Sequence, residues 1–208
     1  YVPNADALNL AYATYERAGC YACHKTRGFE GVRKPGPILT PLSAKLQPDV
    51  LVQMLNEVFS RFDALTEKHG LEKIKTIGDA YMVVGAAPTP RADHAAAVAN
   101  LALEMRDVAR SLTTPTGEPL RIRMGINTGP LVAGVIGTRK FAYDLWGDTV
   151  NAAARMEAHA EPSTIQVTER TYECLRGHFQ LEARGTMEVK GKGEMRTYVL
   201  AGPYSKGT

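Results

Sequence analysis

The sequence predicts an α+β fold, a mostly antiparallel sheet with helices on one face, and three observations carry that expectation. Two long segments, residues 49–69 and 91–112, place apolar residues at helical period. Short β-rich runs recur through the second half, several of them joined by tight glycine turns. Helical and β-rich runs alternate, but with too many tight turns for a sheet built only from parallel crossovers.

Composition frames this reading. The chain has 208 residues, 44% hydrophobic and 23% charged, enough for one globular domain and a small appendage. A net charge of +3, with lysines and arginines scattered, argues against nucleic acid or an anionic membrane as partner. No apolar run reaches the roughly 18 to 20 residues that cross a bilayer. The opening YVPNADALNL lacks the basic and apolar regions of an export signal. Three cysteines are too few for a disulfide framework.

Taken in order, DALNLAYATYERA (residues 6–18) has helical spacing and stops at Gly19, giving a short helical N-terminal appendage. A proline- and glycine-rich stretch to residue 48 reads as loop. Val50, Met54, Val58 and Phe62, beside Leu51, Leu55 and Phe59, then form an apolar stripe, with Asp49 as N-cap and Gly70 as stop. LEKIKTIGDAYMVVGA reads as a hairpin about Gly78-Asp79. Val98, Leu101, Met105, Val108 and Leu112 mark the second helix. RIRMGINTG, LVAGVIG and KFAYDLWG are strand candidates and DTVNAAARMEAHA a helix. The tail gives a strand (TIQV), a short helix (TERTYECL) with Cys174 read as a small buried hydrophobe, and two or three strands ending at TYVLAG.

Four stretches carry polar residues that a core would reject. Lys75 and Asp79 flank the glycine turn of KIKTIGDAYM and each needs a partner or water. The glycines of NTGPLVAGVIG let backbone approach either a phosphate or another backbone. In YDLWGDTVNAAARM, Asp144 ends a strand, and Asn151 and Arg155 lie four apart on one helix face. In MEVKGKGEM, Lys190 sits on a glycine-punctuated turn suited to an anion. Singly, each is as ordinary as a solvated surface.

In this order, the four stretches resemble the class III adenylate/guanylate cyclase catalytic domain, from about Thr40 to Gly202. The resemblance implies a ferredoxin-like βαββαβ core and a head-to-tail homodimer with active sites between protomers. It divides the chain into residues 1–39, a cyclase domain at 40–202, and a tail at 203–208. It implies that Lys75 and Asp144 read adenine, the amine donating to N1 and the carboxylate accepting from N6, with Leu145 adding backbone contact. ATP is then the substrate, since a mismatched base leaves buried polar groups unpaired. By the same likeness Asn151 positions the ribose, Arg155 stabilises charge on the transferring phosphate, and Lys190 grips the terminal phosphates. Asp79 is one of two aspartates that hold two Mg2+ or Mn2+ ions. The product is 3′,5′-cyclic AMP, a signalling nucleotide, and the compartment cytoplasmic.

One departure stands out. The family's first strand reads approximately F-x-D-I-x-G-F-T, and its aspartate is the second metal ligand. Aligning from Thr40 puts RKPGPILT there, with Pro35 in the aspartate's place and Glu30 the only acid between residues 28 and 39. Proline ligates no metal, and Pro35 and Pro37 lack the amide hydrogens a central strand donates. The first strand is therefore expected to be missing or replaced, and turnover to be impaired. Losing one metal carboxylate is worth about three powers of ten or more, at roughly 1.4 kcal/mol per tenfold.

Upstream, CYACH offers two thiols and a histidine, Cys20, Cys23 and His24, in the pattern that attaches haem c. ATYERAGCYACHKTRG and KPGPIL resemble the front of a c-type cytochrome, over residues 5–39 only. That likeness suggests an exported origin, at odds with a cytosolic ATP site. The later helices that cover a haem are absent from it, so the haem-free reading is preferred, and a zinc dithiol lacks a second ligand pair. Three functions follow: an impaired adenylate cyclase, an inactive nucleotide-binding or dimerisation module, and a haem redox module fused to a cyclase.

Overall fold

A computed structural model describes residues 48–136, 141–189 and 193–204. Expectations for the N-terminal helix, the CYACH segment and the first strand lie outside these residues, as does Lys190. By backbone contacts the chain divides into two units, residues 1–55 with 76–81, and residues 56–75 with 82–208. Of the first, the described part is the start of helix α1 (Pro48–Lys68) and the turn of the hairpin formed by β1 (Glu72–Ile77) and β2 (Ala80–Val84).

The second unit continues through α2 (His94–Ser111), β3 (Met124–Ile126), β4 (Val132–Ile136), β5 (Ala142–Trp146) and α3 (Asp148–His159). It closes with β6 (Ile165–Thr168), α4 (Glu169–Leu175), β7 (Phe179–Val189) and β8 (Gly193–Pro203). Four strands pair in the order β3-β6-β8-β7. β3 and β6 run parallel, while β6–β8 and β7–β8 are antiparallel. β4 and β5 form a separate antiparallel ribbon, with Gly134 opposite Asp144 and Ala133 opposite Leu145. The α+β, antiparallel-rich expectation therefore holds.

Helices cover both faces of the four-stranded sheet rather than one. Ile126, Ile165, Val167 and Leu200 pack with Ala95, Ala99 and Leu103 of α2 and with Leu175 of α4 in one buried cluster. The alternate positions, Gly125 and Gln166, face α3. A Cβ built on Gly125 would lie 2.1 Å from the Glu157 amide nitrogen and 2.3 Å from the Ala153 carbonyl oxygen. Only a residue without a side chain lets the helix backbone lie that close. Gln166 is fully buried there, its amide 3.8 Å from the Met156 sulfur, and its carbonyl accepts from Arg184. All four residues of β6 are buried, which a sheet with one bare face would not allow.

Smaller departures have local causes. Asp49 lies in the first turn of α1 rather than at its cap, because Pro48 begins the helix, where a missing N–H costs nothing. α1 is followed by Gly70 at φ 61°, and Arg91 donates to the carbonyls of His69 (2.8 Å) and Gly70 (3.1 Å). Lys68 and His69 both reach Glu104 of α2, at 2.7 and 3.1 Å. The strand expected in RIRMGINTG contracts to three residues. Cys174 is exposed, not buried, because α4 turns Thr171 and Leu175 inward.

Replacing Gly125 by alanine is expected to destabilise the domain by about 3 kcal/mol, the upper end for an inserted methyl, since backbone and not a mobile side chain must yield. Chemical denaturation followed by circular dichroism checks it, and a loss below about 1 kcal/mol would show that α3 can lift away.

Candidate active site

Strand β1 carries Lys75 and strand β5 carries Asp144, 69 residues apart in sequence, and the fold brings them together. Lys75 Nζ donates to Asp144 Oδ2 at 2.5 Å. The other carboxylate oxygen, Oδ1, accepts from the backbone N–H of Leu145 at 2.8 Å. The hydrogen bond from Lys75 holds the Asp144 carboxyl below its ordinary value; burial opposes this, and the Leu145 amide and the lysine charge add to the lowering. Leu145 itself is buried, at 6% exposure, and anchors the strand end. The side chains of Lys75 and Asp144 remain 39% and 22% exposed, so solvent reaches the pair from one side.

Asn151 is exposed and Arg155 half-buried on α3, one turn apart. The cap of α3, Gly147, has φ 132° and makes no side-chain cap bond. The start of the helix is held instead by its neighbours. Asn127, just after β3, donates from Nδ2 to the Thr149 carbonyl at 3.0 Å, and the Thr149 hydroxyl donates to the Pro130 carbonyl at 2.5 Å. Thr168, 2% exposed, donates to Asn127 Oδ1 at 2.7 Å and caps α4. The sequence singled out the glycines of NTGP and missed this polar network; a polar side chain directly behind a buried strand was the signal for it.

Asp79 stands in the turn between β1 and β2, next to Gly78 at φ 62°, in the unit of residues 1–55 with 76–81. Among the described residues no group of three or more His, Cys, Asp or Glu side chains could hold a metal ion. A single carboxylate does not fix two divalent cations, so these residues alone do not fit a two-metal centre. Lys190, Pro35, Cys20, Cys23 and His24 lie outside the described residues. An open polar cavity of about 760 Å3 lies among Asn127, Thr149, Arg170, Thr186 and Arg196, and none of Lys75, Asp144, Asn151 and Arg155 lines it.

Comparison with known proteins places this geometry. The Adenylate and Guanylate cyclase catalytic domain family profile matches residues 38–202, and the chain belongs to that family. It is 50% identical over 163 residues to an adenylate cyclase of Mycobacterium tuberculosis, covering 78% of this chain and 37% of that protein. It is 49% identical over 163 residues to the rat guanylate cyclase soluble subunit beta-2, covering 77% of this chain and 24% of that protein. The chain thus spans about a third or less of these relatives' length. Among solved structures it resembles a rhodopsin-guanylyl cyclase core of converted specificity in complex with ATPalphaS, at TM-score 0.75, 39% identity, and 78% and 89% of the two chains. It also resembles the adenylyl cyclase CyaB of P. aeruginosa, at TM-score 0.70, 28% identity, and 78% and 88% coverage. Cyclase domains bind a nucleotide substrate and use Mg2+ or Mn2+, and the similar solved guanylyl cyclase domains include both dimeric and monomeric forms. Among the described residues, no helix is long and apolar enough to cross a membrane.

A partly exposed ion pair contributes at most about 1 kcal/mol. Asp144→Asn should therefore leave the urea midpoint near neutrality almost unchanged. Because the carboxyl value is depressed on folding, its contribution exists above the ordinary range near pH 4 and disappears as pH falls through the lower folded value. Acid titration of both proteins should show the Asp144→Asn curve converging on the parent as pH falls through the lowered Asp144 value. A gap that widens toward low pH would contradict this.

Proposed function

We propose that the chain is an adenylate cyclase domain, forming 3′,5′-cyclic AMP and pyrophosphate from ATP in the cytoplasm, at the interface of a head-to-tail homodimer. The observation that carries this reading is the juxtaposition of Lys75 on β1 and Asp144 on β5, one donor and one acceptor that solvent still reaches. Adenine offers the complementary pair, an acceptor at N1 and a donor at N6. Overall identity does not choose between nucleotides, since adenylate and guanylate cyclases match almost equally well. Two side chains do.

In this reading the ribose 3′-oxygen attacks the α-phosphorus, the bond from that phosphorus to the α–β bridging oxygen breaks to release pyrophosphate, and the hydroxyl proton passes to water. Asn151 orients the ribose, Arg155 meets the charge growing on the phosphate, and Lys190 holds the departing pyrophosphate. Asp79, from the opposite protomer, would be one of the carboxylates that hold Mg2+ or Mn2+. Pro35, where the second is expected, keeps turnover low.

The β4–β5 ribbon supports the dimer. Val132, Val135, Ile136 and Phe141 are 66%, 61%, 60% and 77% exposed. Strand alternation puts Val132 and Ile136 on one face and Val135 on the other, so both sides of the ribbon carry apolar surface that a second subunit would cover. The second reading, an inactive nucleotide-binding and dimerisation module, is favoured by Pro35. The haem reading has nothing further to support it.

Incubation with ATP or GTP and Mn2+, with chromatographic separation of products, tests the assignment. Cyclic AMP from ATP is expected about a thousandfold or more slower than from a cyclase domain with both aspartates run in parallel, and cyclic GMP from GTP slower still. Faster conversion of GTP would overturn the nucleotide assignment, and parity with the intact domain would overturn the impairment. ATP binding with no product would select the second reading.

A further inference from the structure

We infer that Asn127 is a positioning residue for the nucleotide site, setting the start of α3 and with it Asn151 and Arg155. This rests on the roles proposed for those two residues. α3 has no side-chain cap hydrogen bond, and its first turn is tethered to the rest of the domain by bonds to groups outside the helix. Asn127 provides one of them, and its amide has a fixed sense. The Thr149 carbonyl can only accept, so the NH2 group must face it, which leaves the carbonyl oxygen for the Thr168 hydroxyl. Thr168 is itself held at the buried end of β6 and the start of α4, where Thr171 bonds onward to Thr128.

The side chain therefore links three elements, the end of β3, the end of β6 and the first turn of α3. Asn151 follows Thr149 by two residues and Arg155 by six, so a rotation of that turn moves both. The Thr149 hydroxyl bond to Pro130 fastens the same turn from the other direction. Gly129 makes room for it, since a Cβ there would lie 2.6 Å from that hydroxyl. Lys75 and Asp144 stand on strands instead, and nothing in this network touches them. The consequence is a separable effect. Loss of the Asn127 bond should disturb the ribose and phosphate contacts and spare the base contacts.

Calorimetric or NMR titration of the full chain with adenine and with a non-hydrolysable ATP analogue, for Asn127→Ala, Asn127→Asp and Thr149→Val, tests this. The expected result is about a tenfold weaker ATP analogue and an adenine affinity within twofold of the parent, at the pH where the parent is measured. Asn127→Asp keeps the acceptor for Thr168 but loses the donor for Thr149, so it should behave like Asn127→Ala. If it rescues the ATP analogue, Asn127 acts only through Thr168 and the positioning role is overturned. Equal losses for adenine and analogue, or none for either, overturn it too. Should Asn127→Ala not fold, Asn127→Asp and Thr149→Val give the same split or contradict it. A parent that binds neither ligand overturns the nucleotide reading itself, a different outcome from a parent that binds and variants that do not discriminate.

Discussion

A close approach of helix backbone to sheet governs this fold. Where β3 passes beneath α3, the missing side chain of Gly125 lets the helix backbone rest on the strand. That contact fixes the height of α3 over the sheet, while Gln166 and Met156 fill the neighbouring positions. The helix carries Asn151 and Arg155, so a backbone constraint in the core sets where two surface side chains stand. A site that acts by position needs such a floor, because displacements near 1 Å already cost heavily in reaction rate.

Two kinds of polar contact are layered on this packing, and their magnitudes differ in meaning. Lys75 and Asp144 are partly exposed, so their pairing adds little to stability and is not a brace for the fold. The Asn127, Thr149, Thr168 and Thr171 network is partly to fully buried, where each unmade bond costs about 1 to 3 kcal/mol. It tethers the first turn of α3 to the ends of β3 and β6. The β4–β5 ribbon is the opposite case, with large apolar side chains left in solvent that a lone subunit gains nothing from exposing.

Much of this was legible in the sequence, for reasons that differ by element. The apolar stripes of α1 and α2 and the Gly78 turn gave themselves away by period and by the one residue type that tolerates positive φ. Lys75, Asp144, Asn151 and Arg155 stood out because polar residues interrupted strand and helix patterns. What periodicity could not show was which face a strand presents when both are buried. β6, Ile-Gln-Val-Thr, alternates like a strand with one polar face turned to solvent, so the second helical layer over Gly125 and Gln166 stayed hidden. Cys174 failed for a similar reason, since a seven-residue helix has too few turns to declare its inner face. The link through Asn127 was invisible because it joins residues 22 and 41 positions apart.

A crystal structure of the chain with a non-hydrolysable ATP analogue addresses the central claim most directly. The account predicts that Lys75 and Asp144 separate and receive the adenine between them, the ammonium within hydrogen-bonding distance of N1 and the carboxylate of the N6 amine. An analogue seated elsewhere while the two side chains stay bonded to each other would contradict it.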